Sequence, residues 1–352
     1  QKFTYQDLKF FFLKFLKLLK VLKKNKKQLK ICVLSEKNFN TYAAILSTIL
    51  SNNICIPLDP DSPDNFLEDI IEQINPDIVL IGEIKKKKII NYFKKKKIHT
   101  LKIKSINHYK ISKKTLLKKN FPDQEDLAFI FFTSGSSGRP KGVKMTQLNY
   151  LSSLNGQIDR IYKNYKKKLV FGDYHNTSFV IILNILLPCL FLGSTISPAI
   201  KTSEKFFPLN HLKSNKINTL ITLPSTINRM RLEVKKNELK NRFLILILCG
   251  EPFYFDLLKF IRSSFKPKKI FNCYGSTELS PWVFSYQFNQ NDEEIIKKEG
   301  LVPIGKNFKS VKYNILKNNE LIISGPMVNN YLNLKDDKIS KLKDKNNVIW
   351  YK

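Results

Sequence analysis

Four hydroxyls, three glycines and one lysine fall within residues 133–143, Thr-Ser-Gly-Ser-Ser-Gly-Arg-Pro-Lys-Gly-Val. A loop of this composition can turn backbone N–H groups and hydroxyls toward an anion, and phosphate is its natural guest. The spacing is not that of the Walker loop, where a Gly is followed four residues later by Gly-Lys-Ser/Thr, nor of the dinucleotide GxGxxG loop. A third kind of phosphate loop is indicated. The bland alternative is a flexible Gly/Ser linker, and position argues against it. The run is entered from Ala128, Phe129, Ile130, Phe131 and Phe132, closes with Pro140-Lys141-Gly142-Val143, and leads to a helix from Gln147 with Thr146 as its candidate N-cap.

The surrounding chain alternates short apolar runs with helical segments. Strands are expected at 31–35, 55–58 and 77–81, and helices at 42–50 and 64–74, the second opened by Ser62-Pro63. After a lysine-rich stretch at 84–120 the alternation resumes from Asp126, with strands at 169–171, 194–198, 219–223, 243–248 and 269–273. The apolar stretch 179–192, with Asn184 and Pro188 inside it, is short for a membrane span and reads as a buried helix. Such alternation implies parallel sheets covered on both faces. Beyond Gly300 a hairpin is expected, 311–316 and 320–324 joined by Lys317-Asn318-Asn319. The expected division is a first α/β subdomain at 1–125, a second at 126–299 and part of a β-rich subdomain at 300–352.

Two further polar segments close strands: Gly250-Glu251, and Asn272 through Glu278. Ligands of open parallel sheets collect beyond the carboxyl ends of the strands, so these segments and the first loop can meet over one nucleotide. Tyr274 offers a flat ring for a base, and Glu278 a carboxylate for a hard cation such as Mg²⁺. Taken singly, Tyr274-Gly275-Ser276-Thr277-Glu278 also reads as a polar turn.

The formal charge of +32, from 61 Lys and Arg against 29 Asp and Glu, first suggests nucleic acid or an anionic surface as partner. Only six of the basic residues are Arg, the type suited to bidentate recognition. Lysine clusters at 85–88 and 94–97 accompany a general richness in Asn, Ile and Phe, which share A/T-rich codons, so solvated faces are favoured over a specific nucleic-acid site. Five cysteines without CxxC spacing and four scattered histidines suggest neither a disulfide framework nor zinc, and fit a reducing, cytoplasmic setting. The lysine-studded stretch 8–24 reads as an amphipathic surface helix, with an interfacial helix as the alternative.

Together these residues resemble the adenylate-forming superfamily: acyl-CoA and aryl-CoA synthetases, luciferases and nonribosomal peptide adenylation domains. Residues 133–143 resemble its phosphate loop, 272–278 its adenine and magnesium motif, and Glu320-Leu321-Ile322-Ile323-Ser324-Gly325-Pro326 through Tyr331-Leu332-Asn333 a third signature. Pro57-Leu58-Asp59-Pro60, Cys249-Gly250-Glu251-Pro252 and Pro303-Ile304-Gly305-Lys306 lean toward amino-acid adenylation domains and D-alanine carrier protein ligases. The resemblance implies an α/β fold, the large N-terminal domain of such enzymes: two parallel-type subdomains plus part of a barrel-like one. It implies ATP and Mg²⁺ as cofactors and an acyl-adenylate passed to a phosphopantetheine thiol of a carrier protein or of coenzyme A. Thr133, Ser134, Gly135, Ser136, Ser137, Gly138 and Lys141 would embrace the β- and γ-phosphates. Gly250, Glu251, Asn272 and Tyr274 would line the adenine, with Gly275 and Ser276 beside the nucleotide. Thr277, at the α-phosphate, and Lys141 would be the catalytic residues, and Glu278 would bind Mg²⁺.

Two departures stand out. In amino-acid adenylation domains an Asp of a Phe-Asp pair grips the substrate amino group; here the pair is Phe179-Val180. Either Asp173 substitutes, from Gly172-Asp173-Tyr174-His175, or the acid lacks an α-amino group; His175 either lines the acid pocket or is a loop histidine. The chain also stops at Trp350-Tyr351-Lys352, before the family's Thr-Gly-Asp and the C-terminal domain with its catalytic lysine, so a fragment with weak or no turnover is expected. The alternatives are an acyl-CoA synthetase using a fatty or aryl acid and, from another class, a non-catalytic nucleotide- or polyanion-binding module.

Overall fold

The computed structural model describes residues 2–22, 26–84, 86–109, 122–134, 139–163, 165, 169–235, 238–333, 341–343 and 348–351. Two compact units are present. The first comprises Gln1–Leu148, Asn176–Phe179 and Asn330–Asp337. Its sheet contains β1 (Lys30–Leu34), β2 (Ile54–Leu58), β3 (Ile78–Ile81), β4 (Thr100–Lys102), β5 (Leu127–Ser134) and β6 (Pro140–Thr146), with the short strand Asn330–Tyr331 on the edge beside β6. In the order β5-β2-β1-β3-β4 the strands are parallel. Cys32 and Leu34 of β1, Ile56 and Leu58 of β2 and Val79 of β3 face Leu67, Ile70, Ile71 and Ile74 of α3 (Asp64–Ile74) and Ile89 and Phe93 of α4 (Lys87–Lys95). The helix Tyr5–Leu22 is amphipathic: Phe11, Phe15, Leu18 and Leu19 are buried, whereas Lys9 and Lys17 are exposed.

The second unit comprises Asn149–His175, Val180–Asn329 and Lys338–Lys352. Its principal sheet contains β7 (Val170–Asp173), β8 (Thr195–Pro198), β9 (Thr219–Thr222), β10 (Ile245–Cys249), β11 (Lys269–Tyr274), β12 (Phe284–Gln287) and β13 (Lys306–Asn307), in the order β8-β7-β9-β10-β11-β12-β13. From β8 through β11 the pairing is parallel, and from β11 through β13 antiparallel. Alternation of side chains gives β10 two apolar faces. Ile245, Ile247 and Cys249 pack with Ile185 and Cys189 of the helix Ile182–Phe191. Leu246 and Leu248 face Ile227, Met230, Leu257, Leu258 and Ile261. The expected hairpin is β14 (Lys312–Ile315) with β15 (Leu321–Ser324), part of an antiparallel sheet that also holds Ile349–Tyr351 and Lys341–Lys343.

Several local expectations need correction. The segment after the Gly/Ser loop holds a strand that was not expected: it returns as β6, paired antiparallel to β5 with Thr133 opposite Lys141, before the helix Gln147–Gln157 begins at the expected residue. Pro140, Gly142, Val143 and Met145 are buried, so packing makes a strand from residues whose local chemistry reads as loop. The strand leading into the loop, expected to open the second subdomain, pairs with β2 of the first sheet through Cys55 and Phe129. Pro63, not Ser62, stands at the N-cap of α3, and no side-chain cap bond forms there. Among the described residues no helix is long and apolar enough to cross a membrane. All five cysteines are buried, and burial pushes the Cys249 thiol up to about 12 and raises those of Cys32, Cys55 and Cys273.

Where β5 begins, Asp126 is buried and anchors two residues distant in sequence and one nearby. Its carboxylate receives Lys27 Nζ at 2.7 Å, Asn52 Nδ2 at 2.9 Å and the Asp123 N–H at 3.0 Å. The Lys27 bond is the main reason its pKa lies below the usual carboxylate value. A depressed pKa means the ionised form stabilises the fold above the unfolded-state value, and that contribution is lost as pH falls through the folded value. Asp126→Ala is expected to cost about 1–3 kcal/mol at neutral pH, measured by urea unfolding. The gap from wild type should narrow as the pH is lowered below about 4, where carboxylates protonate.

Candidate functional site

In the first unit the hairpin β5–β6 presents the loop. Ser134 lies opposite Pro140 and Thr133 opposite Lys141, so the half-buried Thr133 and Lys141 flank the base and the exposed Ser134 and Arg139 lead toward the tip. Gly135, Ser136, Ser137 and Gly138 lie outside the described residues. The base is braced on both sides. Gln73 Nε2 of α3 donates to the Pro140 carbonyl at 3.1 Å, and Tyr331 pairs with Val143 while the Leu332 N–H donates to the Gly142 carbonyl at 2.7 Å. The Tyr331-Leu332 part of the third signature thus supports the β5–β6 hairpin.

In the second unit the remaining candidates gather at the carboxyl ends of adjacent parallel strands. Gly250, at φ +78°, turns the chain as it leaves β10, a conformation open to glycine. Glu251 follows, and its carboxylate accepts the Ser225 N–H at 2.8 Å and hydroxyl at 2.9 Å, capping the helix Pro224–Glu233 that follows β9. Asn272, buried in β11, donates from Nδ2 to the carbonyls of Val302 and Pro303 at 3.0 Å each. These two side chains therefore hold neighbouring segments in place. Tyr274 is 40% exposed and its ring meets Phe284 edge-on. Gly275 is crowded: a Cβ there would lie 1.9 Å from the Pro281 carbonyl oxygen. Thr277 and Glu278 sit half-buried in a 3-10 turn, Thr277–Leu279, and the Ser276 hydroxyl beside them is buried without a hydrogen-bond partner.

Of the expected acid-pocket residues, Asp173 and His175 fall at the carboxyl end of β7. Asp173 is fully buried and accepts the His175 N–H at 3.1 Å; His175 Nε2 lies 3.0 Å from the Ile221 carbonyl. Val180 is half-buried in the second unit, and Phe179, in the first, is 60% exposed. Sequence reasoning missed the side chains that fix these turns. Asn329 and Ser280 bind the 277–280 turn, and Asn149 and Ser153 of the helix Gln147–Gln157 donate to the carbonyls of Pro326 at 2.7 Å and Trp282 at 3.3 Å. The only sequence trace of the latter pair is four-residue spacing of polar residues on an otherwise packed helix face.

Residues 1–329 match the family described as AMP-binding enzyme. The chain is 26% identical over 332 residues to a D-alanine–D-alanyl carrier protein ligase of Lactococcus lactis subsp. lactis (strain IL1403), covering 93% of this chain and 64% of that protein. It therefore spans less than two thirds of that ligase. Among solved structures, the Vibrio cholerae adenylation domain AlmE in complex with glycyl-adenosine-5'-phosphate superposes with a TM-score of 0.82 at 16% identity, over 100% of this chain and 71% of its own. The Klebsiella oxytoca NpsA N-terminal subdomain in complex with 3-hydroxyanthranilyl-AMSN gives 0.80 at 17% identity, over 100% and 89%. At these identities the structural likeness establishes the fold: two parallel-rich α/β sheets as in the large domain of adenylate-forming enzymes.

The crowding at Gly275 makes a local test. Gly275→Ala should displace the 275–282 turn and cost about 1–3 kcal/mol, as overpacking does. Thermal unfolding reads the loss, and Gly300→Ala serves as a contrast because no atom lies within 4 Å of its Cβ position, leaving the positive φ as its one source of strain.

Proposed function

The chain belongs to the AMP-binding enzyme family, and on that premise we propose that it contributes the nucleotide site of a ligase that activates a carboxylic acid with ATP. The observation that carries this reading is the placement of Gly250-Glu251 and Tyr274 through Glu278 on consecutive turns at the carboxyl ends of β10 and β11, where a parallel sheet receives a nucleotide. A carboxylate oxygen of the acid bonds to the α-phosphorus of ATP, the bond to the bridging oxygen breaks, and pyrophosphate leaves. The acyl-AMP then meets a phosphopantetheine thiolate, the thioester forms, and AMP departs. Neither step asks a side chain to act as nucleophile; both need anionic charge neutralised by positioned donors. Lys141, Thr133 and Ser134, with 135–138, take the β- and γ-phosphates in this reading. Thr277 donates at the α-phosphate, and Tyr274 packs on the adenine over the floor made by Gly250, Gly275 and Ser276. Glu251 and Asn272 shape that floor through Ser225 and through Val302 and Pro303.

Glu278 suits Mg²⁺. It is a single half-buried carboxylate, and no group of three acidic, His or Cys side chains among the described residues forms a cage. Magnesium is commonly held in this way, by one or two carboxylates with phosphate and water oxygens completing the octahedron. Bound there, it would offset phosphate charge as pyrophosphate leaves. The fully buried Asp173 is occupied with its own loop, and Val180 offers no charge, so an acid without an α-amino group fits better than an amino acid. A carrier-protein thiol is the favoured acceptor, since the Lactococcus relative is named as a carrier protein ligase; coenzyme A is the second choice.

Acid-dependent exchange of labelled pyrophosphate into ATP, run on the chain together with whatever sequence follows it in the natural protein, tests the reading. Lys141→Ala and Glu278→Ala should each lower exchange by about 100-fold or more, the usual cost of losing a charge-stabilising group. Absence of exchange with every acid tried would remove the catalytic proposal. In a panel of acids, fatty and aryl acids should outperform α-amino acids, and Val180→Asp should shift the preference toward the amino acids; the opposite ranking would return the amino-acid reading.

A further inference from the structure

We propose that Asn329 is the positioning residue for the Thr277–Glu278 turn, setting the Mg²⁺ dependence of nucleotide binding; this rests on the ATP site proposed above. Asn329 is 2% exposed and lies between the two parts of the third signature, Glu320–Pro326 and Tyr331–Asn333. It holds the turn at three points. Its Nδ2 donates to the Thr277 carbonyl at 2.7 Å, its backbone N–H donates to the Glu278 carbonyl at 2.8 Å, and its Oδ1 accepts the Ser280 hydroxyl at 2.8 Å. The amide orientation is forced, because a carbonyl can only accept and so must face the NH₂ end. Ser280, completely buried and at φ +57°, closes the turn, with its hydroxyl also 2.8 Å from the Met327 carbonyl.

Consecutive carbonyls bound by one residue fix the two peptide planes of the turn, and with them the directions in which the Thr277 and Glu278 side chains leave the backbone. The turn is also seated by Leu279, buried in the core of the second unit. It is a single turn of 3-10 helix, with the Leu279 N–H to the Ser276 carbonyl at 3.0 Å as its internal bond. The segment carrying Asn329 is itself tethered, since Asn149 Nδ2 donates to the Pro326 carbonyl at 2.7 Å. Asn149 touches neither Thr277 nor Glu278 through any of these bonds, which makes it a contrast: its loss weakens the same lattice without freeing the two carbonyls.

The test is the Mg²⁺ concentration dependence of ATP binding, read as thermal stabilisation and by calorimetry, in wild type, Asn329→Ala, Ser280→Ala and Asn149→Ala. Asn329→Ala should raise the Mg²⁺ concentration for half-maximal ATP binding by about tenfold, the scale on which groups behind a metal ligand act. Ser280→Ala should move it in the same direction by a smaller factor, and Asn149→Ala should lower the melting temperature yet leave the Mg²⁺ dependence at the wild-type value. A wild-type Mg²⁺ profile in Asn329→Ala, or an equal shift in Asn149→Ala, overturns the positioning role. If Asn329→Ala does not fold, an unshifted Ser280→Ala overturns it instead. Wild-type protein that binds no ATP at any Mg²⁺ concentration overturns the site reading itself, a separate result from the others.

Discussion

Parallel pairing is the constraint on which the second unit depends. Once β7, β9, β10 and β11 run in one direction, their carboxyl ends share an edge, and whatever polar residues follow them are delivered there together. The strands cannot carry that chemistry within their length. β10 is buried from Ile245 through Cys249 with apolar clusters on both faces, so a charged residue anywhere inside it would be desolvated without a partner. Glycine at 250 and the acid at 251 come at the first positions where the backbone is released. The same holds on β11, where the buried Asn272 is satisfied by two carbonyls and the first exposed residue is Tyr274.

A turn delivered to an edge still has to be held in one shape, and here polar side chains do that work from within. Asn149 and Ser153 stand four residues apart on one helix and reach the 326 and 282 carbonyls; Gln157, four further on, donates from Nε2 to Asn184 Oδ1 at 2.8 Å. All four side chains are buried. Buried amide and hydroxyl bonds add modestly to stability, but each costs more when its partner is removed, and Gln157 Oε1 and Asn184 Nδ2 are themselves buried without a partner among the described residues, so such a ladder specifies a geometry more than it strengthens a fold. The turn 277–280 belongs to that lattice through Ser280 and Asn329.

The sheets were legible in the sequence because apolar runs such as 31–34, 78–81 and 245–248 have no other low-cost fate than a strand covered on both sides. The loop between β5 and β6 was marked out by its glycines and hydroxyls, but its return strand was not. Pro140-Lys141-Gly142-Val143-Lys144-Met145-Thr146 lacks an apolar run, and it becomes β6 because β5 on one side and Asn330–Tyr331 on the other supply the backbone bonds. That pairing joins residues nearly 190 positions apart, and nothing local encodes it. Candidate residues were identified by type, but their commitments were hidden. Glu251 caps a helix and Asn272 clamps a loop, roles set by where β9 and the 302–303 segment arrive. Asn329 went unnoticed for the same reason: an Asn in a loop has no periodicity, and its value lies in which carbonyls it meets.

In the acid-activating reading proposed above, the choice of acid turns on the carboxyl end of β7, and burial bears on it directly. A substrate ammonium entering an apolar pocket needs a carboxylate it can touch, because an unpaired buried charge costs several kcal/mol. Asp173 has the right charge and no accessible surface. One of its carboxylate oxygens is bonded to the His175 N–H, and the loop around it is fixed further by the Tyr174 hydroxyl, 2.7 Å from His211 Nδ1, with His211 Nε2 3.3 Å from the Ser197 hydroxyl. Gly172 leaves no slack either, since a Cβ there would come within 2.8 Å of the Tyr174 ring. Freeing Asp173 for a substrate would mean breaking a loop that is satisfied as it stands. Val180, half-buried and uncharged, would need no such rearrangement to meet an apolar group.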